Sequence, residues 1–274
     1  MRTKRYLLLI VVLPYMFGIA GCLGRTPEVV STSTASDSQV TEPQHEEGHD
    51  KEIFPQTDDS ARAEMSDQGQ EPPIRDAFEQ LCRAVELNDP VAWERAERVL
   101  QTAGSATRSV LVAYLEDSQV LKRELAVMWL AQLGPEVAPV ADKLKNCLHD
   151  ESVLVRVNAA AALSCLESPS PEVMRTLMEL VDADDVHIRL TSLAGLANLG
   201  EAAQPALAVL EKALHDMDPR IRTAAAQTLG RLGAPAKSLL PTLKLLASDE
   251  DENVREAIQQ AVQQIDTASG QQTE

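Results

Sequence analysis

From about residue 74 onward, apolar side chains recur at spacings of three and four residues, which is the pattern of amphipathic helices. The pattern also repeats on a longer scale, because apolar residues return seven, ten and twenty-one residues after an arginine that recurs every 33 residues. These arginines are Arg123, Arg156, Arg189, Arg222 and Arg255. A fixed period of this length indicates stacked supersecondary units. The sequence therefore predicts an all-α superhelix, a solenoid of about five to six two-helix repeats.

The unit around Arg222 shows how the two helices are delimited. Asp218 is a good N-cap, and Pro219 suits the first helical position, where its missing N–H costs nothing. Gly233 then ends the first helix, and a second helix is expected over about residues 235–247. The equivalent caps in other units are Ser152, Asp185 and Asp251, and the equivalent terminating glycines are Gly134 and Gly200.

The repeated arginine stands in the first turn of its helix, where the partial positive charge of the helix terminus disfavours a cation. Six residues before it, four units carry an aspartate: Asp117, Asp150, Asp216 and Asp249. In the remaining unit Ala183 occupies this position, between Asp182 and Asp184. We expect each arginine to pair with loop carboxylates of its own or the next unit. If such pairs are exposed, they contribute only about 0–1 kcal/mol each, so this ladder would fix register more than it stabilises.

The stretch at residues 216–236 reads D-x-D-P-x-I-R-x-A-A-A-x-x-L-G-x-L-G-x-x-A. It resembles the short HEAT repeats of the phycobilisome-lyase type, and the resemblance extends over about residues 117–265. Neither the T-P-L-H-x-A pattern of ankyrin repeats nor the tetratricopeptide signature is present. The resemblance implies a solenoid whose second helices line a concave face.

The period also predicts the domain boundaries. Residues 117–267 are expected to form the regular units, and residues 74–116 a degenerate N-terminal unit in which Pro90 occupies the arginine position. Residues 268–274 are expected to be a disordered tail. Near the C-terminus four glutamines form a polar stripe at helical spacing, and a polar outer face is what the last unit of a solenoid requires. They are Gln259, Gln260, Gln263 and Gln264.

Residues 1–21 are predicted to be a signal peptide. A basic start, MRTKR, precedes an apolar run of 15 residues, which is shorter than the roughly 20 residues of a spanning helix. The following Ile19-Ala20-Gly21-Cys22 resembles a bacterial lipobox. This predicts cleavage between Gly21 and Cys22, lipidation of Cys22, and a location on the extracytoplasmic side of a bacterial membrane. An ordinary signal peptide and an uncleaved anchor are the alternatives, and the choice between inner and outer membrane is open.

Residues 22–73 are rich in Ser, Thr, Gln, Glu, Asp and Pro, and their apolar residues have no period. Such a segment cannot bury enough surface to offset its ordering entropy, so a disordered acidic tether is expected. The whole chain has 42 acidic and 25 basic side chains and a net charge of -17. This charge disfavours a nucleic-acid partner.

A search for chemistry predicts no catalytic, metal or cofactor site. His149 and His215 are two units apart, too far to share an ion, and a bridge between Cys147 and Cys165 remains open. The polar positions of the second helices carry basic residues that would give a relatively basic inner groove for an acidic peptide. These residues are Lys143, Lys145, Arg175, Lys212, Lys237 and Lys244.

Together these features favour a membrane-tethered, extracytoplasmic scaffold that is not an enzyme and binds another protein as a monomeric solenoid. Two alternatives stay open. One is an enzyme similar to bilin lyases, or a chromophore-binding protein, because the resembled repeats occur in such lyases. The other is a purely structural lipoprotein of the cell envelope.

Overall fold

The structure is a computed structural model, and it describes residues 71–271. The predicted signal peptide (residues 1–21), the lipidation site at Cys22 and the tether up to residue 70 lie outside the described residues, as do residues 272–274. Within residues 71–271 the chain forms twelve α-helices and no β-strand. None of these helices is long and apolar enough to cross a membrane.

The first three helices are α1 (Glu71–Leu87), α2 (Pro90–Ala103) and α3 (Ala106–Val112). The next six are α4 (Val120–Ala131), α5 (Ala141–Cys147), α6 (Val153–Ser164), α7 (Pro171–Leu180), α8 (Val186–Asn198) and α9 (Leu207–Ala213). The last three are α10 (Pro219–Leu232), α11 (Leu240–Leu245) and α12 (Glu252–Gln271). Short 3-10 helices cover Gly134–Val140, Gly200–Ala206, Ala234–Leu239 and Leu246–Ser248.

The helices stack as the 33-residue period predicts. The longer helices α4, α6, α8, α10 and α12 each contact the next one along the chain, while α5, α7, α9 and α11 pack behind them. The units are therefore α4–α5, α6–α7, α8–α9 and α10–α11, followed by α12 without a second helix. This arrangement is an all-α solenoid whose core runs as a continuous strip between the two rows of helices.

The leucine columns form that core. Seven residues after each of the first four repeated arginines, and again twenty-one residues after it in the second helix, the leucine is almost completely removed from water. Leu130, Leu163, Leu196 and Leu229 are at most 1% exposed, and Leu144, Leu177, Leu210 and Leu243 are 0% exposed. Small residues allow the helices to approach closely, since a Cβ atom added to Gly195 would lie 2.7 Å from the Leu177 side chain. Burial of each leucine side chain contributes about 1.5–3 kcal/mol, and these contacts are the main source of stability.

Capping residues begin the long helices where expected. The carboxylates of Asp185 and Asp218 accept hydrogen bonds from the N–H groups of His187 and Arg220. Asp251 caps α12 in the same way, through the N–H groups of residues 253 and 254. Ser152 precedes α6 but makes no capping hydrogen bond with its side chain.

In three of the four complete units, the second half differs from the single helix predicted over residues 235–247. In the last complete unit, a 3-10 helix at Ala234–Leu239 precedes the short α11, and a further 3-10 turn follows it. The units of α5 and α9 have the same 3-10 segment, with Pro139 and Pro205 inside it. Proline has no N–H and restricts the preceding residue, which interrupts a regular α-helix.

The N-terminal region is not a degenerate copy of the two-helix unit, because it contains three helices, α1, α2 and α3. Pro90 starts α2, so it does not stand where the arginine stands within the first turn of the regular helices. Helix α1 is anchored to the first regular unit through Glu79. This carboxylate accepts hydrogen bonds from the Tyr114 hydroxyl at 3.0 Å and from Lys122 at 2.9 Å. The Phe78 and Tyr114 rings pack with centroids 4.5 Å apart.

At the other end, α12 continues to Gln271, so residues 268–271 are helical and are not part of a disordered tail. The reason is packing, since α12 lies along α10 over its whole length and Ala268 and Ser269 are half-buried. The four glutamines of the predicted stripe are all exposed.

Candidate interaction surface

Arg222 links two successive units. Its Nη1 donates to the backbone carbonyl of Asp216 at 3.0 Å, in the loop before its own helix. Its Nε and Nη2 donate to the two carboxylate oxygens of Asp249, in the next loop, at 2.9 Å and 2.8 Å. Asp249 also accepts the N–H of Asp251 at 2.9 Å, so the same carboxylate shapes its own loop. The guanidinium thus ties α10 to the start of the following unit.

Arg123 repeats this geometry at the start of the stack. Its Nη1 donates to the carbonyl of Asp117 at 2.9 Å, and its Nε and Nη2 donate to Asp150 at 2.8 Å and 3.1 Å. Glu151 accepts a further bond from Nη2 at 2.9 Å. The N–H of Ser152 binds Asp150 at 2.8 Å, which matches the loop geometry at Asp249.

The other three arginines keep the carbonyl contact but differ in the carboxylate. Arg189 forms a longer ion pair with Asp216, with Nε and Oδ2 3.3 Å apart. Arg156 donates only to the carbonyls of Asp150 and Glu151, at 2.8 Å and 3.1 Å, because Ala183 stands where the next aspartate would be. Arg255 also donates only to carbonyls, those of residues 249 and 250, and the described residues contain no later loop aspartate that pairs with it.

The pairs are far less exposed than expected for surface ion pairs. The side chains of Arg222 and Asp249 are each 10% exposed, and those of Arg123 and Asp150 are 11% and 12% exposed. Charged hydrogen bonds in such settings contribute about 1.5–3 kcal/mol, which is more than the 0–1 kcal/mol of an exposed pair. We therefore expect these two junctions to contribute more to stability than an exposed pair would.

The pairing also moves the pKa values of the aspartates. Hydrogen bonds from Arg222 hold the pKa of the Asp249 carboxyl below its usual range, against the smaller opposing effect of burial. Burial by itself raises the pKa of Asp150, but hydrogen bonds from Arg123 and from the Ser152 N–H together hold it below its usual range. Both carboxylates are ionised at neutral pH.

An open cavity of about 660 Å³ lies on the face of the long helices α8, α10 and α12, and we call it the α8–α12 groove. Its floor is apolar and small, with Leu190, Ala194 and Ala197 from α8 and Ala224 from α10. Polar and charged side chains surround this floor: Arg220, Gln227, Arg231, Asp251, Asn253, Glu256 and Gln260. Three successive units therefore present one continuous, mixed-charge surface.

The six residues of the predicted basic groove lie apart from the α8–α12 groove. All six are exposed on the second helices or the 3-10 segment before α11. Lys143, Lys145 and Lys212 pair with Glu116, Asp142 and Asp182, at 2.9 Å, 2.8 Å and 2.8 Å. Arg175, Lys237 and Lys244 form no ion pair with a described residue.

Sequence reasoning missed the residues of the α8–α12 groove. Pro219 and Asp251 are predicted only as residues at a helix start, and Gln260 only as part of the glutamine stripe. A usable signal was present in the first helices, where Ala194, Gln227 and Gln260 occupy the same repeat position. A polar or small residue at a helical position next to buried leucines indicates an exposed face.

None of the three described cysteines lines the α8–α12 groove. Among the described residues, Cys82, Cys147 and Cys165 form no disulfide, so the bridge between Cys147 and Cys165 is not present. Burial raises the pKa of Cys82 to about 12 and that of Cys147 to about 11, so both thiols stay protonated at neutral pH. Over residues 71–271, no group of three or more His, Cys, Asp or Glu side chains is placed to hold a metal ion.

The stack and its arginine–aspartate junctions define an α-solenoid of two-helix repeats. A family model described as HEAT repeats matches residues 107–197, 141–216 and 207–272. These matches together cover more than half of the chain, and the chain belongs to the HEAT-repeat family. A search of curated proteins found no match.

Solved structures show the same fold at low identity. A designed armadillo repeat protein in complex with the peptide (KR)4 has a TM-score of 0.51 and 19% identity, over 70% of this chain and 99% of that one. The karyopherin Kap121p bound to the C-terminus of Cdc14p has a TM-score of 0.57 and 13% identity, over 74% of this chain and 26% of that one. An engineered protein has a TM-score of 0.51 and 20% identity, over 70% of this chain and 97% of that one.

Proposed function

We propose that this HEAT-repeat protein is a non-enzymatic scaffold that binds a segment of another protein in the α8–α12 groove. We also propose that lipidated Cys22 holds it to the extracytoplasmic side of a bacterial membrane, through the tether of residues 22–70. The α8–α12 groove is the observation on which the binding proposal rests, because it is an open surface built by three units.

The composition of the groove suits a peptide. Its floor of alanine and leucine accepts apolar side chains. Arg220 and Arg231 of α10 line the groove, as do Asp251 and Glu256 at the start of α12. Charges of both signs at the rim favour one orientation of the bound chain over the reverse. Solenoids of this fold bind peptides in the similar structures, including (KR)4 on the designed armadillo protein and the Cdc14p tail on the karyopherin.

The test fills the groove without disturbing the core. Gln227 is exposed at the centre of the α8–α12 groove, so Gln227→Trp places an indole where the partner would lie. Leu245→Trp is the matched control, since Leu245 is 80% exposed on a short helix outside the groove. Partners cross-linked to the wild-type chain on bacterial membranes are identified by mass spectrometry, and their dissociation constants are measured with each variant.

We expect Gln227→Trp to weaken binding about tenfold, which corresponds to about 1.4 kcal/mol, and Leu245→Trp to leave it unchanged. Equal affinities for both variants would contradict the binding site. Stoichiometric binding of a bilin by the purified chain would instead support the chromophore-handling alternative. If no specific partner is cross-linked to the wild-type chain, that result would support the purely structural role.

The anchor has a separate test. Cys22→Ser removes the thiol that the lipobox resemblance identifies, and it should move the protein from the membrane fraction to the soluble extracytoplasmic fraction. Incorporation of radioactive palmitate should be lost at the same time. Membrane retention of Cys22→Ser would show that an uncleaved N-terminal segment is the anchor.

A further inference from the structure

The two ends of the stack have different surfaces. At the C-terminal end, α12 exposes its glutamines, which water can satisfy. At the N-terminal end, α2 exposes two large apolar side chains, Val91 at 62% and Val99 at 39%. An end helix of a solenoid needs a polar outer face or a cover. We therefore expect another segment or molecule to pack against the apolar face of α2.

A second cavity, of about 780 Å³, lies along this face, and we call it the α2 groove. One helix face supplies most of it, with Val91, Arg95, Arg98, Val99 and Thr102 at helical spacing. Pro73 and Ile74, at the start of α1, close one end.

The α2 groove carries unused positive charge. The side chains of Arg95 and Arg98 are exposed, and neither makes a hydrogen bond or an ion pair with another described residue. Glu94 is the one acidic side chain in the lining. The chain has a net charge of -17, so two unpaired arginines beside an apolar groove stand out. Such a groove fits a ligand that carries apolar side chains, aromatic or aliphatic, together with acidic groups.

The chain itself contains such a ligand just before the described residues. Residues 50–59 read DKEIFPQTDD. Phe54 is the one aromatic residue between residues 18 and 77, and it stands beside Ile53 and Pro55. Acidic residues flank the apolar tripeptide on both sides: Asp50, Glu52, Asp58 and Asp59.

The connection is long enough. Pro73 lies 19 positions after Phe54, and a flexible segment of that length spans about 24 Å on average. The groove from Val91 to Thr102 extends over about 16 Å of helix. Pro73 lies in the groove lining, so the chain leaves the stack at the place where its own ligand would bind. Such a tether gives an effective concentration in the millimolar range.

We propose that residues 50–59 of this chain bind the α2 groove, with Phe54 against the exposed valines and Asp58 and Asp59 at Arg95 and Arg98. Docking covers the apolar end of the stack and fixes the last part of the tether. The free length between Cys22 and the solenoid falls from about 50 to about 28 residues, and the average reach falls from about 39 Å to about 29 Å. Release of this segment lengthens the tether again.

The test is disulfide trapping in the full-length, lipidated chain reconstituted in phosphatidylcholine vesicles. Gln56→Cys with Thr102→Cys places thiols on the segment and in the α2 groove, and it leaves Phe54 and both arginines intact. Gln56→Cys with Leu245→Cys is the matched control pair, because residue 245 is exposed near the opposite end of the stack. Single-cysteine variants measure the background from the native thiols.

We expect the first pair to close an intramolecular disulfide about tenfold faster than the control pair. Phe54 lies outside the described residues, and Phe54→Ser should remove this advantage. Equal rates for the two pairs, or an unchanged rate with Phe54→Ser, would overturn the proposal. An intermolecular disulfide would overturn it in favour of a second copy as the occupant.

Charge reversal gives an independent test. Arg95→Glu with Arg98→Glu should slow trapping about fivefold at low salt, and addition of Asp58→Arg with Asp59→Arg should restore the rate. Failure of the restoration would overturn the assignment of the acidic residues to these arginines. None of these substitutions lies in the α8–α12 groove, so partner binding there is measured separately.

Discussion

At the scale of single residues, a guanidinium group performs two tasks in each regular junction. Arg222 closes its own loop through a backbone carbonyl and holds the next loop through a carboxylate. The cation offsets its unfavourable position in the first helical turn by these contacts. Because the aspartate also accepts an N–H from its own loop, one missing side chain leaves several polar groups without partners.

Removal of Arg222 should be costly for that reason. We expect Arg222→Ala to lower the free energy of unfolding by about 2–3 kcal/mol, since Asp249 would then remain mostly buried without its partner. Arg255→Ala is the control, because Arg255 contacts carbonyls alone, and about 1 kcal/mol is expected. Urea denaturation followed by circular dichroism measures both. Equal losses would show that the carboxylate contributes nothing.

The same pairs predict how stability depends on pH. The pKa of Asp249 is lower in the folded chain than in the unfolded chain, where it is about 3.9. The pair's stabilisation is therefore complete above the unfolded pKa and is lost as the pH falls through the folded pKa. The free energy of unfolding should decrease from about pH 5 downward, with a shallower decrease for Asp249→Asn. Identical slopes in denaturation series at different pH values would contradict this.

At the scale of helices, the junction after α6 is the irregular one. It has no glycine-terminated first helix and no 3-10 segment, and Ala183 leaves Arg156 without a carboxylate. Instead, a separate apolar cluster forms there from Val157, Leu180 and Ile188, with Ala183 packed against it. The period of the sequence located this irregularity, but the compensating cluster could not be predicted from it.

Ala183→Asp should complete the ladder. A carboxylate at this position can accept from Arg156 and from the N–H of Asp185, as Asp216 does from Arg189 and Asp218. We expect a gain of about 0.5–1.5 kcal/mol in the free energy of unfolding. The gain should disappear in the Arg156→Ala background, so a double-mutant cycle separates pairing from other effects. A loss in the wild-type background would mean that the apolar cluster outweighs the new pair.

The ends of the first helices depend on glycine. At Gly233 the backbone has a φ of +65°, which side chains other than glycine rarely adopt, and an added Cβ would lie 3.2 Å from Ala268. Gly233→Ala should cost about 1–3 kcal/mol. Gly270→Ala, at a helical position with open space around it, should be neutral or slightly stabilising. Thermal melting of both variants measures the difference, and equal melting temperatures would show that the turn is not strained.

At the scale of the whole molecule, the long period made most of the fold predictable. Period, caps and glycines set the helix starts and ends, because these signals are local. The grouping of side chains from three units into the α8–α12 groove is not local, and the sequence pattern therefore did not indicate it. Helices α1 and α2 follow no repeat, so the apolar face of α2 could not be anticipated.

Contacts between neighbouring units also predict how far the effect of a destabilising substitution extends along the stack. In a stack of this kind each unit is stabilised by the two beside it. Arg222→Ala should therefore increase hydrogen exchange in α10 and α12, with little change in α4. Hydrogen exchange with mass spectrometry resolves these helices. A uniform increase across the chain would show that the solenoid unfolds as one cooperative body.

Each paired arginine reaches an aspartate 27 residues further along the chain. Tandem duplication of residues 216–248 would therefore recreate a matched guanidinium and carboxylate at both new boundaries, with no additional substitution. Duplication of the corresponding gene segment would lengthen the protein by a whole unit, and each new junction would already pair an arginine with an aspartate.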